Sequence, residues 1–328
     1  MRLAWFLLKR LGWMLLTLWI IFTVSFVLIR IVPGSPFANE KGHPPEILRN
    51  LREKHLLDQP LHVQYGHDLK RIVLSGDLGT STKLKDYTVN EIIAEGFPIS
   101  ASLGILALTF ALTLGLTAGV IGALRRQSWM DVSLMGAATL GIAVPNFVLA
   151  GLAIILFVFV FHLFPAAGWG TLRQIVLPAL CLGAPFAAYI ARLMRTSMLE
   201  VLGQDYIRTA YAKGLTRRKV VIRHAMQGAI LPVVSYLGPA VAGILTGSLV
   251  LEQIFALPGM GTHFIQGALT SDYTLAMGMV LVYTVMLYTM NMLVDISYGV
   301  SDPRVKLELG TVLFYLPLCD LLFLLRSS

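Results

Sequence analysis

The sequence predicts an all-α, polytopic membrane protein with six membrane-spanning helices, because of its composition and its long apolar stretches. Of its 328 residues, 56% are hydrophobic and 13% are charged, and the mean hydropathy is +0.73. Soluble domains usually carry about 25% charged residues, so this chain has too little polar surface for a soluble domain. A membrane helix needs about 20 mostly apolar residues, and six stretches meet that requirement.

The six predicted spans differ in how many helix-breaking residues they contain. They cover residues 11–31, 99–124, 133–161, 175–191, 229–255 and 275–298. The third contains Pro145, and the fourth contains Pro178 and Pro185; membrane helices tolerate such prolines because neighbouring helices satisfy the freed carbonyls. The first span is too long for the apolar core of a signal peptide, and no small-residue cleavage site follows it, so we expect it to be retained.

The Lys and Arg residues indicate the orientation of the chain, because short cytoplasmic loops of membrane proteins are rich in both. With the N-terminus inside, the inside segments hold sixteen Lys and Arg residues, and the short outside loops hold only Arg173. We therefore predict that both termini are cytoplasmic. The formal charge of +8 follows from this sidedness, so we predict the lipid bilayer and not nucleic acid as its surroundings.

The predicted organisation has four parts. Residues 1–31 hold the first span, and residues 32–98 form an extracytoplasmic loop or cap with a helix near residues 46–55. Residues 99–298 form a five-helix core with a cytoplasmic loop at residues 197–228. Residues 299–328 are a tail, to which we assign no function because its apolar stretch is short for a span.

The loop at residues 197–228 contains signals for a short helix. Asp205 is a favourable N-cap residue, and Lys213 suits the last turn, where a cation complements the helix dipole. Gly214 is expected just past the helix end, in the left-handed conformation that glycine adopts without strain. Thr216 is expected to begin a second helix that leads back to the membrane.

The predicted helix has an apolar face formed by Tyr206, Ile207 and Ala210 at helical spacing. A two-turn helix is marginal by itself, so this face favours burial against something. One interpretation is a docking knob that enters a groove on another protein. The other is a basic loop that simply follows the positive-inside rule, and the spacing leaves both open.

The same loop resembles the coupling loop of ABC-importer permeases, and most closely that of the peptide and nickel subfamily. The resemblance is carried by residues 206–215, which read YIRTAYAKGL, by Arg223-His224-Ala225, and by Leu231-Pro232. The general motif has Glu-Ala-Ala, three residues and then Gly. Here only Ala210 and Gly214 fit that form, and the distance to Leu231-Pro232 is longer than usual; both departures are typical of the peptide subfamily.

Further similarities extend from the N-terminus to about residue 306 and resemble the B-type subunit of oligopeptide permeases. They lie at residues 30–36, 58–61, 76–79, 85–90, 97–101, 257–261, 271–273 and 302–304. The resemblance implies a type I ABC-importer permease in a bacterial inner membrane. It also implies a second, C-type permease subunit, two cytoplasmic ABC ATPases and an extracytoplasmic peptide-binding protein as partners, with oligopeptides as substrate.

The resemblance also implies which residues couple the chain to its ATPases. They belong to the short helix and its end: Asp205, Tyr206, Ile207, Ala210, Ala212, Lys213 and Gly214. The sequence has no G-x-x-x-x-G-K-[ST] phosphate loop, so we predict a non-catalytic transport subunit. We predict no cofactor and no metal, because the histidines and the two cysteines lack ligand spacing.

Two polar residues in the spans are candidates for the translocation path. Glu252 is an intramembrane acid, which is a functional candidate by default, and Asn146 follows the proline of the third span. Asn146 is also compatible with a hydrogen bond to a neighbouring helix. The loop at residues 256–273 is compatible with contact to the binding protein, with a plug of the outer mouth, or with a plain turn.

Other transport classes remain as alternatives. A dipeptide or nickel permease is a variant of the same ABC-importer interpretation. An ion-coupled carrier requires a relay of acids or histidines within the spans, and a membrane-embedded enzyme requires a cluster of catalytic groups. The sequence offers neither of these patterns.

Overall fold

The computed structural model describes residues 2–31, 59–84 and 87–301. These residues are helical apart from short connections, and an isolated antiparallel bridge pairs Thr80 with Thr88. The all-α prediction is therefore confirmed for the described residues. The helix predicted near residues 46–55 and most of the tail lie outside them.

The helices are numbered in chain order. They are α1 (Arg2–Ile31), α2 (Leu61–Ser75), α3 (Val89–Leu124), α4 (Trp129–Ala143), α5 (Asn146–Ala153, continued by a π-helical segment Ile154–Val160), α6 (Leu172–Leu202), α7 (Asp205–Ala212), α8 (Arg217–Val220, continued by a π-helical segment Val221–Ala225), α9 (Met226–Ala229), α10 (Leu231–Ile254), α11 (Met260–Leu269) and α12 (Tyr273–Ser301).

Four of these helices, α1, α3, α6 and α12, are each long and apolar enough to cross a membrane. Two further spans are bent pairs. In one pair α4 meets α5 and its π-helical segment at 112°, and in the other residues 217–229 meet the first part of α10 at 52°. Counting each bent pair as one span gives the predicted six.

The third span is not the continuous helix that we predicted over residues 133–161. It breaks at Val144, whose φ of −89° and ψ of 124° are extended, and it restarts at Asn146 after Pro145. The cause is local, because proline lacks an amide donor and disfavours the helical conformation of the residue before it. Pro145 therefore lies between two helices rather than inside one.

Two other spans begin or end well beyond the predicted limits. Helix α3 begins ten residues early because Thr88 and Glu91 form a reciprocal cap, with the Glu91 amide donating to the Thr88 hydroxyl at 3.2 Å and the Thr88 amide donating to the Glu91 carboxylate at 2.8 Å. Helix α6 continues to Leu202, eleven residues past the predicted end. Its extension carries Arg192 and Arg195 into the helix.

The contact between α3 and α6 is the most extensive in the bundle, and small residues make it close. A Cβ atom at Gly119 would lie 2.6 Å from both the Ala191 carbonyl oxygen and the Met194 Cβ, and one at Gly183 would lie 2.5 Å from the Ala107 carbonyl oxygen. Small residues let membrane helices approach closely enough for dispersion contacts along their length. The α3–α6 pair is thus the centre of the fold.

A smaller aromatic cluster holds α2, which we did not predict, against α1. The Tyr65 ring lies 5.2 Å from those of Phe22 and Phe26, and hydroxyls of Tyr65 and Thr23 hydrogen-bond at 2.8 Å. Helix α1 is joined to α12 through the hydroxyls of Thr17 and Tyr288, 2.6 Å apart. These contacts attach the first span to the core.

We expect Gly119→Ala to lower the free energy of unfolding by about 1–3 kcal/mol, because the added methyl group has no room against α6. The matched control is Gly136→Ala in α4, where a Cβ would meet no described atom within 4 Å. Denaturant unfolding of the two purified variants measures the difference. Equal stabilities would contradict the close α3–α6 contact.

Candidate functional site

The short helix expected in the basic loop is present as α7, but its start differs by one residue from the prediction. Gln204 is the N-cap residue, in extended conformation, and Asp205 is the first helical residue. The Asp205 side chain is 97% exposed and lies 3.7 Å from the Arg208 guanidinium. The prediction that Asp205 caps the helix is wrong, although an acid in the first turn still suits the helix dipole.

The apolar stripe of α7 faces the chain's own helices. Ile207 is 1% exposed and Ala210 is 6% exposed, and both belong to a cluster with Met194 and Met198 of α6 and with Val220 of α8. The interpretation of Ile207 as part of an outward knob is therefore wrong. A two-turn helix is marginal by itself, and the burial of these two side chains in the chain's own cluster stabilises it.

Two half-exposed tyrosines flank the buried stripe of α7, because a helix turns by about 100° per residue. Tyr206 is 49% exposed and Tyr211 is 43% exposed, and Ala212 and Lys213 are exposed beside them. We predicted Tyr206 as a contact residue and missed Tyr211. Tyr211 follows Tyr206 by five residues, whereas residues on one helix face are three, four or seven apart, so the periodicity does not predict it.

The end of α7 is defined by Gly214, as predicted. Its φ is +79°, its amide donates to the Tyr211 carbonyl at 2.9 Å, and the Leu215 amide donates to the Ala210 carbonyl at 3.4 Å. Together these bonds form the glycine-terminated motif that satisfies the last carbonyls of a helix. Lys213 is the C-cap residue, and Thr216 is the N-cap residue of α8.

An ion pair joins α4 and α6, which are far apart in sequence. The Arg195 guanidinium on α6 donates from Nε to Asp131 Oδ1 at 2.6 Å and from Nη2 to Asp131 Oδ2 at 2.7 Å. Asp131, in the first turn of α4, is 3% exposed. The sequence does not predict this pair, because a contact between residues 64 positions apart leaves no local pattern.

Glu252 lies at the end of α10 and is completely buried. Its Oε2 accepts the Gly261 amide at 2.8 Å, and its main-chain carbonyl accepts the Leu257 amide at 2.8 Å. A carboxylate without accessible surface does not line a path in this conformation. Its geometry indicates a different task, which is to hold the loop between α10 and α11.

This loop, residues 255–261, is fitted closely to α3. The Ser100 hydroxyl accepts the Met260 amide at 2.9 Å, and a Cβ at Gly96 would lie 3.0 Å from the Met260 nitrogen. A Cβ at Gly261 would lie 2.7 Å from the Leu249 Cα and 2.9 Å from the Glu252 Oε2. Because α11 follows directly, the segment predicted as a possible plain turn is a packed loop and a helix.

The corner between α11 and α12 is fixed by a second buried carboxylate. Asp272 is 1% exposed and accepts hydrogen bonds from the Ser81 hydroxyl, the Thr82 amide and the Thr82 hydroxyl. These bonds tie the turn before α3 to the corner between α11 and α12. Nearby in α11, burial lowers the pKa of His263, with the Glu95 carboxylate acting in the opposite direction.

The other candidate for the path, Asn146, lies at the break of the third span. It is half-buried and is the first residue of α5. Among the described residues there is no group of three or more His, Cys, Asp or Glu side chains placed to hold a metal ion. The polar sites of the described chain are therefore loops, caps and ion pairs between helices.

The four to six apolar spans of the described residues define a polytopic membrane protein, and comparisons with known proteins identify its family. Residues 86–307 match the family described as binding-protein-dependent transport system inner membrane component, and residues 3–104 match its N-terminal counterpart. The chain belongs to this family of ABC-transporter permeases. The resemblance drawn from the sequence is thereby confirmed.

Individual relatives cover nearly the whole chain. The oligopeptide transport system permease protein OppB of Haemophilus influenzae is 44% identical over 92% of this chain and 99% of its own length, and that of Escherichia coli is 43% identical over the same shares. The dipeptide transport system permease protein DppB of Bacillus subtilis is 46% identical over 93% of this chain and 99% of its own length.

Solved structures agree with the fold. An inward-facing structure of the MetNI methionine ABC transporter has a TM-score of 0.54 at 15% identity and covers 64% of this chain and 96% of that chain. A second crystal form of MetNI has a TM-score of 0.52 at 16% identity, with the same coverage. At this identity the likeness shows the fold alone, and the fold is that of a type I ABC-importer permease.

We expect Gly214→Val to loosen α7, because a β-branched residue is strained at a positive φ by roughly 1–3 kcal/mol. Gly214→Asn is the matched control, since asparagine tolerates the left-handed region. Hydrogen exchange of the amides of residues 207–213 reports the change. Faster exchange is expected only in the Val variant, and equal exchange in both would contradict the proposed role of the backbone conformation.

We expect Glu252→Leu to free the loop at residues 255–261, because the buried Gly261 amide then lacks its acceptor, at a cost of about 1–3 kcal/mol. Hydrogen exchange of the amides of residues 257–261 measures the loosening. Gln253→Leu changes an exposed neighbour and serves as the control. Unchanged exchange in Glu252→Leu would show that the carboxylate does not hold the loop.

Proposed function

We propose that this chain is the membrane-spanning permease subunit of an ATP-driven importer that moves oligopeptides into the cell. The observation that carries the proposal is the similarity to oligopeptide permease subunits along nearly their entire length. A dipeptide permease is the second candidate, because the Bacillus subtilis relative with that name is similarly close. Nickel import is the remaining variant, and it rests on the subfamily resemblance alone.

The partners that we propose follow from the family. They are a second, C-type permease subunit, two cytoplasmic ATPases and an extracytoplasmic peptide-binding protein, since the family description itself specifies dependence on a binding protein. This chain would supply half of the membrane path and no ATP chemistry. Peptide selection would then be made largely by the binding protein.

The orientation that we propose places both termini and α7 in the cytoplasm. The support is the excess of Lys and Arg on that side of the predicted topology. Six spans bring the chain back to the side on which it begins. The loop at residues 255–261 and the corner at Asp272 then lie at the outer end of the bundle, where the binding protein would deliver its peptide.

We assign ATPase coupling to α7 and its glycine-terminated end. Tyr206, Tyr211 and Lys213 form the exposed surface for the ATPase, while Ile207 and Ala210 are buried in a cluster that includes residues of α6 and α8. A push on α7 would therefore reach a membrane span through this cluster. Asp205 and Ala212 complete the exposed rim, and Gly214 fixes the length and the exit direction of the helix.

Among the path candidates, Asn146 remains our proposal. It stands at the bend between α4 and α5, and broken helices in transporters commonly lie beside the substrate path. Glu252 is better assigned to the outer loop, whose Gly261 amide it accepts. A change in that loop would alter the outer opening without a direct contact between Glu252 and the peptide.

The subunits that co-purify with this chain distinguish an ATP-driven importer from a secondary carrier. We expect the tagged chain to bring down a second permease and two ATPases, and the reconstituted complex to import labelled oligopeptides only with ATP and a binding protein. A chain that purifies and transports alone under an ion gradient would establish the carrier instead. Competition by dipeptides or by Ni²⁺ separates the subfamily variants.

The proposed ATPase surface has its own test within that complex. We expect the double variant Tyr206→Ser with Tyr211→Ser to lose ATPase association, because exposed aromatic side chains commonly dominate such contacts. Tyr87→Ser is the control, since Tyr87 is similarly exposed, at 47%, but lies before α3. Undiminished ATPase association in the double variant would remove α7 as the docking element.

A further inference from the structure

We propose that the Asp131–Arg195 ion pair transmits the movement of α7 to the bent pair α4–α5. The proposal rests on the function proposed above, and it assigns to these two residues a positioning role in transport. It concerns the link between the coupling helix and the span whose bend carries Asn146. Three features of the structure support it.

The first feature is the continuity from α7 to Arg195. The buried residues of α7 pack in one cluster with Met194 and Met198, and these two methionines flank Arg195 on α6. Helix α7 contacts α8, and Val220 of α8 belongs to the same cluster. A displacement of α7 therefore reaches the guanidinium through packed side chains and one rigid helix.

The second feature is the geometry of the pair itself. Two parallel hydrogen bonds, at 2.6 Å and 2.7 Å, fix both the distance and the relative orientation of the two side chains. An apolar contact resists separation but permits sliding, because dispersion is not directional. A bidentate pair resists both movements, so α6 and α4 move together at this point.

The third feature is that Asp131 is held to the start of α4 by the backbone. Its Oδ2 accepts the Gln127 amide at 2.9 Å, and its amide donates to the Ser128 hydroxyl at 3.3 Å. Against α3, a Cβ at Gly122 would lie 3.1 Å from Asp131 Oδ1. The carboxylate is thus an integral part of the turn that begins α4.

Helix α4 carries the displacement onward to the bend. It is a continuous helix from Trp129 to Ala143, and it ends at the extended residue Val144. A helix moved at one end changes its angle to the segment beyond such a break. A separate hydrogen bond joins the start of α8 to the end of α3, because Arg217 Nη2 donates to the Leu124 carbonyl at 3.1 Å.

A purely structural role for the pair predicts a different outcome. Buried ion pairs are often replaceable by well-packed apolar residues with little loss of stability. If the pair only fastens the fold, an apolar replacement that assembles should transport normally. If the pair transmits movement, the same replacement should assemble and hydrolyse ATP, but should import less peptide for each ATP hydrolysed.

The experiment uses the complete reconstituted complex and the double variant Asp131→Leu with Arg195→Met. Peptide uptake and ATP hydrolysis are measured in the same proteoliposomes with the binding protein present. We expect uptake per ATP to fall roughly tenfold, within the range of coupling between linked sites, while subunit composition stays that of the wild type. Arg195→Lys keeps the positive charge but loses the bidentate guanidinium geometry, so we expect its uptake per ATP to fall less.

Arg192→Met is the matched control, because Arg192 lies one turn earlier on α6 and is exposed. Wild-type uptake per ATP in the double variant would overturn the proposal, and so would failure of that variant to assemble, which would make the pair structural. A wild-type chain that neither associates with ATPases nor imports peptide would overturn the proposed function itself, before any variant is compared.

Discussion

The close contact between α3 and α6 is the constraint on which the rest of the structure depends. Gly115 and Gly119 on α3 leave no space for a Cβ against Ile190 and Met194 of α6. In a bilayer, helices gain little from removing apolar surface from lipid, so association relies on close packing and polar contacts. Once α3 and α6 are in contact, α4, α5 and α10 pack around them.

Two different clusters of polar residues contact α3, one near each of its ends. Near its start, Ser100 and Glu252 hold the loop at residues 255–261. Near its end, Gly122 packs on the Asp131–Arg195 pair. Ser100 and Gly122 are about 33 Å apart along a helix that rises 1.5 Å per residue, roughly the thickness of the hydrocarbon core. One helix, α3, therefore connects these two polar clusters over a distance that compares with the hydrocarbon core of a bilayer.

The short helix α7 was predictable from the sequence, but the side on which it is buried was not. Its existence, its length and its ending at Gly214 were predictable, because a left-handed C-terminal residue has a distinct chemical requirement. The side of the helix that faces the bundle was not predictable. Tyr206, Ile207 and Ala210 were equally compatible with burial in this chain or in a partner, and only the packing of α6, α7 and α8 into one cluster shows that Ile207 and Ala210 are buried within the chain.

The sequence by itself determined the membrane class and the family of this protein, and it predicts six spans with an excess of positive charge on one side. Each of these depends on composition, on local order or on motifs read along the chain. Only the tertiary structure decided the break of the third span, the burial of Glu252 and the pairing of Asp131 with Arg195. The physical reason is that hydropathy records the environment of a segment, whereas a bend or an ion pair depends on which residues from distant segments are brought within about 3 Å of each other.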